Sequence, residues 1–270
     1  MEFKRLTGAA SSVYSFFDKT VSIGEMEARK LRHDPTELFT RAVQPALWLL
    51  VFGEVMSHFA SSAINTGNLS YLAFMSPGIL AQSVLFISIF YGIAVIWERD
   101  LGIIHKFLVS PTPRQALVMG KALSAGVRSL SQLVIIYALA LLVGVSINWN
   151  PLNLVLVVVV IVISSALFST FSLIIACLVK TRERFMGIGQ ILTMPMFFAS
   201  SAIYPIYIMP WWLQVIAKIN PLTYSVDALR SLMVAGGTST YGIGIDILVL
   251  LAGMIALVLI GSKLYPRVVT

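Results

Sequence analysis

Charge is what this sequence has least of. Asp, Glu, Lys and Arg make up 11% of its 270 residues, against about 25% in a soluble domain. None of the four occurs between Glu54 and Glu98, and none between Arg128 and Lys180. A helical crossing needs roughly 20 apolar residues, so each gap holds one with residues to spare. With 58% hydrophobic residues and a mean hydropathy of +0.89, the chain reads as an integral membrane protein. Cysteine is nearly absent too. Cys177 stands alone, so no internal disulfide forms and no cysteine-based metal spacing exists. The phosphate-loop pattern GxxxxGK[ST] is missing: Gly120-Lys121 lacks both the earlier glycine and the following Ser or Thr. If ATP drives this protein, another chain hydrolyses it. There is no HExxH and no GxSxG, and His33, His58 and His105 lie on different segments. An intramembrane enzyme would need a nucleophile with its base, or a metal set. No catalytic, cofactor-binding or metal-ligating residue is assigned. The first forty residues are polar and mixed in charge, so no cleavable signal peptide is expected and the first span serves as the insertion signal.

What is present is a set of apolar runs with punctuation between them. Spans are expected over about 41–59, 75–97, 124–145, 152–179, 186–204 and 245–262, with Pro195 inside the fifth. Asp34-Pro35 with Glu37 reads as an N-cap, a first-position proline and a third-position acid, so the first helix starts ahead of its span. Asn148-Trp149-Asn150-Pro151 makes a tight turn. The expected fold is all-α, with residues 1–34 as a cytoplasmic segment and 35–270 as a single six-span domain. The net charge of +7 is not a nucleic-acid footprint, because of where it lies. Of the 19 Lys and Arg residues, Lys218 and Arg230 alone fall on the side opposite the rest. The positive-inside rule then puts both termini in the cytoplasm. Before the first span, Val13, Phe16, Phe17 and Val21 precede Arg29, Lys30 and Arg32, a basic amphipathic segment suited to the headgroup layer.

Two stretches outside the spans are unusual. Glu98, Arg99 and Asp100 stop the second apolar run. Leu101, Ile104 and Leu108 then recur at helical spacing, with Phe107 beside them, and predict a short helix over 98–109. Pro111 and Pro113 end it, and Thr112 with Gln115 caps the next helix. Such a stiff element either satisfies its own ends at the interface or carries a push from outside the membrane onto the spans. The second stretch, 205–243, is too apolar for a water-exposed loop. Pro210-Trp211-Trp212 opens one short helix, to about Ile219. Asn220-Pro221 opens another, with Leu222, Val226, Leu229 and Met233 on one face and Gly236-Gly237 after its end. Neither is long enough to span. Both are expected to dip into the outer leaflet, with Trp211, Trp212 and Tyr224 at the interface. Asp227 and Arg230, at i, i+3, would lower their burial cost by pairing.

Polar residues within the spans are few. Glu54 and His58, at i, i+4 in the first, either pair near the outer interface or form a proton relay, as an ion-coupled carrier would need. Gln82, Gln132 and Gln190 either hydrogen-bond neighbouring helices or line a path for cargo. Met194 and Phe197 make either an adaptable surface or ordinary packing.

Two stretches resemble the ABC-2-type permeases, the membrane subunits of ATP-driven exporters. One is ERDLGIIHKFLVSPTPRQALVMGKAL, from Glu98. The other, WLQVIAKINPLTYSVDALR from Trp212, is similar to the signature of the drug-resistance and Nod-factor-export type, with Asn220-Pro221-Leu222-Thr223 and Asp227-Ala228-Leu229-Arg230 both present. The resemblance implies a prokaryotic inner-membrane exporter of two permeases, here expected as a homodimer, with two ABC ATPase subunits. ATP with magnesium is then bound by the ATPase, and this chain carries no cofactor. It implies that Glu98, Arg99, Asp100, Leu101, Ile104, Phe107 and Leu108 belong to a coupling helix docked on the ATPase. The helix over 13–32 would also meet the ATPase, and the helices over 210–235 would cap the outer end of the path. Because spans 1, 2 and 5 border that path in the resembled family, Gln82, Gln190, Met194 and Phe197 are candidates to line it.

Overall fold

The computed structural model describes residues 35–63, 69–101, 114–179 and 181–264. Regular structure among them is helical, apart from one isolated antiparallel bridge, Ile147 to Val234. The first helix, α1 (Pro35–Ala46), starts at the expected proline, whose missing N–H would have been unsatisfied there anyway. Pro45 removes a further donor. Two residues later the chain adopts the wider π-helical turn Leu47–Gly53, which continues as α2 (Glu54–Ala63).

The next helix, α3 (Tyr71–Asp100), starts four residues ahead of the expected span because Ser70 caps it, its Oγ accepting from the Ala73 N–H at 3.2 Å. Helix α4 (Arg114–Leu142) and helix α5 (Pro151–Leu178) follow, the latter capped by Asn150 Oδ1 on the Leu152 N–H at 3.0 Å. Helix α6 (Arg182–Phe198) is shorter than its apolar run. It passes through Pro195, stops three residues later, and leaves 199–204 as turns rather than helix. Two short helices, α7 (Trp211–Ile219) and α8 (Pro221–Met233), precede α9 (Ile243–Leu264). By length and composition, α3, α4, α5 and α9 qualify as membrane crossings among the described residues.

Helices α3, α4 and α5 pack on one another, with α9 against α5 and α6 at the edge on α3. Ser88 of α3 and Ser129 of α4 both meet the Ser165 hydroxyl of α5, at 2.9 and 3.0 Å, a polar tie where hydrocarbon offers no competing water. Helix α8 turns its apolar stripe to protein: it is enclosed by α3, α5 and α9, and Leu222, Val226, Leu229 and Met233 are all buried in the main core. Gly78 explains how α3 closes on the turn after α6. A Cβ there would stand 2.4 Å from the Ala202 carbonyl oxygen. Helix α7 instead leaves Trp211, Trp212 and Ile219 exposed, as an interfacial helix would.

Candidate functional site

Two polar clusters stand at opposite ends of the bundle. At the end of α3, Asp100 Oδ1 accepts from Arg99 Nε and an Arg99 terminal nitrogen, at 3.2 and 3.1 Å. The other Asp100 oxygen accepts from Arg182, the first residue of α6, at 2.9 Å. Arg99 also donates to the Val179 carbonyl at 3.3 Å, satisfying an oxygen beyond the end of α5. The Arg182 guanidinium stacks on Trp97 with its centre 3.5 Å from the ring centroid. Four side chains thus bind the ends of α3, α5 and α6 at the point where the chain leaves for the 102–113 segment. Leu101, the last described residue before it, is 67% exposed. Ile104, Phe107 and Leu108 lie outside the described residues, as do the expected helix over 13–32 and the whole of the 1–34 segment. The Arg182–Asp100 contact crosses 82 positions and left no local signal in the sequence.

At the opposite end Asn220 serves two helices at once. Its Oδ1 caps α8 by accepting from the Leu222 N–H at 3.0 Å. Its Nδ2 donates to the carbonyls of Met196 and Ala199, at 2.6 and 2.9 Å, and so closes the end of α6. Pro221 follows in the first position of α8.

Asp227 and Arg230 do not pair with each other, which corrects the expected ion pair. Asp227 is 1% exposed and faces the 239–241 loop. It accepts from the Thr240 and Tyr241 N–H groups at 2.7 and 3.0 Å and from the Ser239 and Thr240 hydroxyls at 2.9 and 3.0 Å. Arg230 turns the other way. It donates to the Phe74 carbonyl at 3.3 Å and to the Ser201 carbonyl, and its guanidinium lies 3.8 Å from the Phe74 ring centroid. Each buried charge is satisfied by fixed dipoles rather than by the other. Ser239 also reaches Asp246, in the first turn of α9, at 3.0 Å. Neither Ser239 nor Asp246 carries a motif or spacing that marks it in the sequence. Burial, together with Tyr224, Asp227 and Asp246 around it, raises the Tyr241 phenol above its ordinary pKa.

The remaining candidates are dispersed. Gln82 is buried, and its Nε2 has no hydrogen-bond partner among the described residues. Gln132 is buried likewise. Phe197 is fully buried and edge-packed on Trp48, 5.4 Å between centroids, whereas Gln190 is exposed and Met194 half-buried. Glu54 and His58 are exposed on α2, and Ser57 donates to the Glu54 carbonyl at 2.7 Å.

Residues 20–234 match the family model of the ABC-2 type transporter. The transport permease ycf38 of Cyanophora paradoxa is 29% identical over 226 residues, covering 83% of this chain and 77% of that protein. The daunorubicin resistance ABC transporter permease protein DrrB1 of Streptomyces coeruleorubidus is 25% identical over 225 residues, with the same coverage of each. Nodulation protein J of Rhizobium meliloti (strain 1021) is 25% identical over 180 residues, covering 66% and 67%. With helices fit to cross a membrane and a family match over most of its length, the chain belongs to the ABC-2 type transporter family and is a membrane transport permease.

Proposed function

We propose that this chain is the permease half of an ATP-driven exporter, paired as a homodimer with two copies of a separate ABC ATPase. It moves an amphipathic or lipid-linked substrate (a drug, lipid or glycan) outward across the inner membrane of a prokaryote. The chain crosses six times with both termini cytoplasmic. Its first crossing is the continuous helix from Pro35 to Ala63. Its fifth is α6 completed by the 199–204 turns, whose backbone is tolerated at that depth because protein covers it. The observation that carries the reading is the tie among Arg99, Asp100, Arg182 and the Val179 carbonyl. It makes the exit of α3 a stiff shared anchor for three helix ends, as a segment transmitting ATPase movement requires. The names of relatives, one a drug-resistance permease and one a nodulation protein, support amphipathic cargo. Glu54 and His58 give less support to an ion-coupled carrier, since both sit on the exposed side of α2 rather than in the bundle.

Purification of tagged protein in mild detergent tests this reading. An ATPase subunit should copurify at matching copy number, with vanadate-sensitive hydrolysis. A chain that comes alone and transports in vesicles under an ion gradient only would end it. Within the complex, Ile104→Asp or Leu108→Asp should uncouple hydrolysis from export while leaving membrane insertion intact. Wild-type transport by both variants would remove the coupling role of the 98–109 segment.

A further inference from the structure

The Ser239 hydroxyl has one hydrogen and three polar neighbours. Its Oγ accepts from the Gly242 N–H at 2.7 Å and stands 2.9 Å from Asp227 Oδ2 and 3.0 Å from Asp246 Oδ2. A hydroxyl donates once. With both carboxyls ionised, one of the two oxygen contacts would hold no hydrogen, and a lone pair of Ser239 would face an anion. A proton on Asp246 Oδ2 completes the chain: Asp246 donates to Ser239, and Ser239 donates to Asp227. The two acids differ in the way this requires. Asp227 also accepts from the Thr240 and Tyr241 N–H groups and from the Thr240 hydroxyl. Its acceptor sites are thereby filled, which leaves none for a metal ion shared with Asp246. Asp246 is fully buried, and its Oδ1 has no hydrogen-bond partner among the described residues, so the neutral acid is the form its surroundings accept. The start of a helix favours negative charge, but the Asp246 N–H is spent on the Gly242 carbonyl at 3.0 Å. No described element packed on α9 brings a cation to it. Arg230 of α8 is turned to the Phe74 and Ser201 carbonyls, α5 and the part of α4 beyond Arg128 carry no charged residue, and Lys263 stands in the last turn of α9. Asp227 and Tyr241, with Tyr224 stacked on Tyr241, are the titratable groups around it.

We propose that Asp246 is a proton-binding site, and that its proton latches the 239–241 loop across α8 and α9. Thr240 and Gly242 beside it are exposed, so the proton exchanges with the medium at this end of the bundle. When it leaves for water, two anions face each other through the single hydrogen of Ser239, and the loop lifts until Asp246 is hydrated. The latched state holds the proton more tightly than the open one, so the latch is firm in acid and loosens as pH rises. Infrared spectra and amide exchange of the full chain in mild detergent test this across pH. At about pH 6, where an ordinary Asp with a pKa of ~3.9 is ionised, wild type should show the carbonyl stretch of a protonated carboxylic acid. Asp246→Asn should lose that band, and Glu183→Gln, at an exposed residue of the opposite end, should keep it. After correction for the intrinsic exchange rate, opening of the 239–241 amides in wild type should rise about tenfold per pH unit above ~3.9, until Asp246 ionises in place. Asp246→Asn, whose amide can donate to Ser239 as the acid does, should keep the loop closed with no such rise. Absence of the acid band in wild type overturns the proposal, and so does its persistence in Asp246→Asn or a corrected loop opening that ignores pH. If Asp246→Asn does not yield folded protein, the two wild-type titrations decide alone. Closure of the loop by calcium or magnesium in alkaline buffer would make the cluster a metal site and overturn the proposal as well. Both titrations are read on this chain without ATP, ATPase or cargo, so their failure leaves the transport reading intact, and failure of ATPase copurification leaves the proton result intact.

Discussion

Asn220 shows how much one side chain can do when it stands between two helix ends. Its amide donates twice to the end of α6 and accepts once from the start of α8. Asn220→Ala removes a cap worth about 1 kcal/mol and orphans two buried carbonyls at about 1–3 kcal/mol each. The expected loss is therefore about 3 kcal/mol or more, seen as a lower Tm of the purified protein. Asn220→Asp keeps the capping oxygen but turns an acceptor toward two carbonyls, so it should not restore stability. A full rescue by Asp would show that the cap alone matters. Asp227 makes the complementary case. Four donors converge on its carboxylate, and Asp227→Asn turns an N–H₂ toward some of them. Charge-assisted bonds are about twice as strong as neutral ones, so a cost of about 2–3 kcal/mol is expected. It should concentrate in the 239–241 loop as faster amide exchange there, with α3 and α5 unchanged.

The elements divide by how their partners were chosen. Helices α1, α5 and α8 each carry a proline in the first turn, and the α5 and α8 boundaries are fixed by an Asn directly before it. These signals lie within a few residues of the boundary they set, so the sequence displays them. The end of α6 has no such signal. Its apolar run continues past Phe198, and the helix stops where the Asn220 amide takes the Met196 and Ala199 carbonyls, with the following turn at Ala202 set against Gly78 of α3. Gly78 is the element-level consequence. Gly78→Ala would drive a Cβ into the Ala202 backbone, which cannot give way as a flexible side chain can. A loss of about 1–3 kcal/mol is expected, measurable as a fall in detergent Tm. The tie at the other end behaves differently. Arg182 and Asp100 are each about a third exposed at the side chain, so Arg182→Gln should cost no more than about 1 kcal/mol in stability. Under the coupling role proposed above, its effect should appear as lowered transport per ATP hydrolysed in the assembled complex while Tm stays near wild type.

At the scale of the whole molecule, the six-crossing arrangement proposed above predicts opposite exposure of the two polar ends. In a Cys177→Ser background, a membrane-impermeant maleimide on intact cells should label Trp211→Cys and not Arg184→Cys, and inside-out vesicles should reverse the pattern. Labelling of both from one face would break the arrangement. Membrane residence was legible from the sequence because hydropathy and the length of uncharged runs are local sums. So were the core face of α8, through its Leu222–Met233 periodicity, and the sharp starts of α5 and α8. What the sequence left open was which partners those elements take. The apolar stripe of α8 fits lipid and protein equally well, and only the packing of α3, α5 and α9 chose protein. Asp227 and Arg230 sit one turn apart and looked like mutual partners, yet the loop at 239–241 and the turn at 201 took them in opposite directions. Asp100 found Arg182 because two helix ends converge in space. The physical reason is common to all three. The backbone bonds and hydropathy that make a helix act over a few residues and are written in order along the chain. Which buried charge meets which dipole depends on segments brought together from tens of positions away, and that was decided only by the fold.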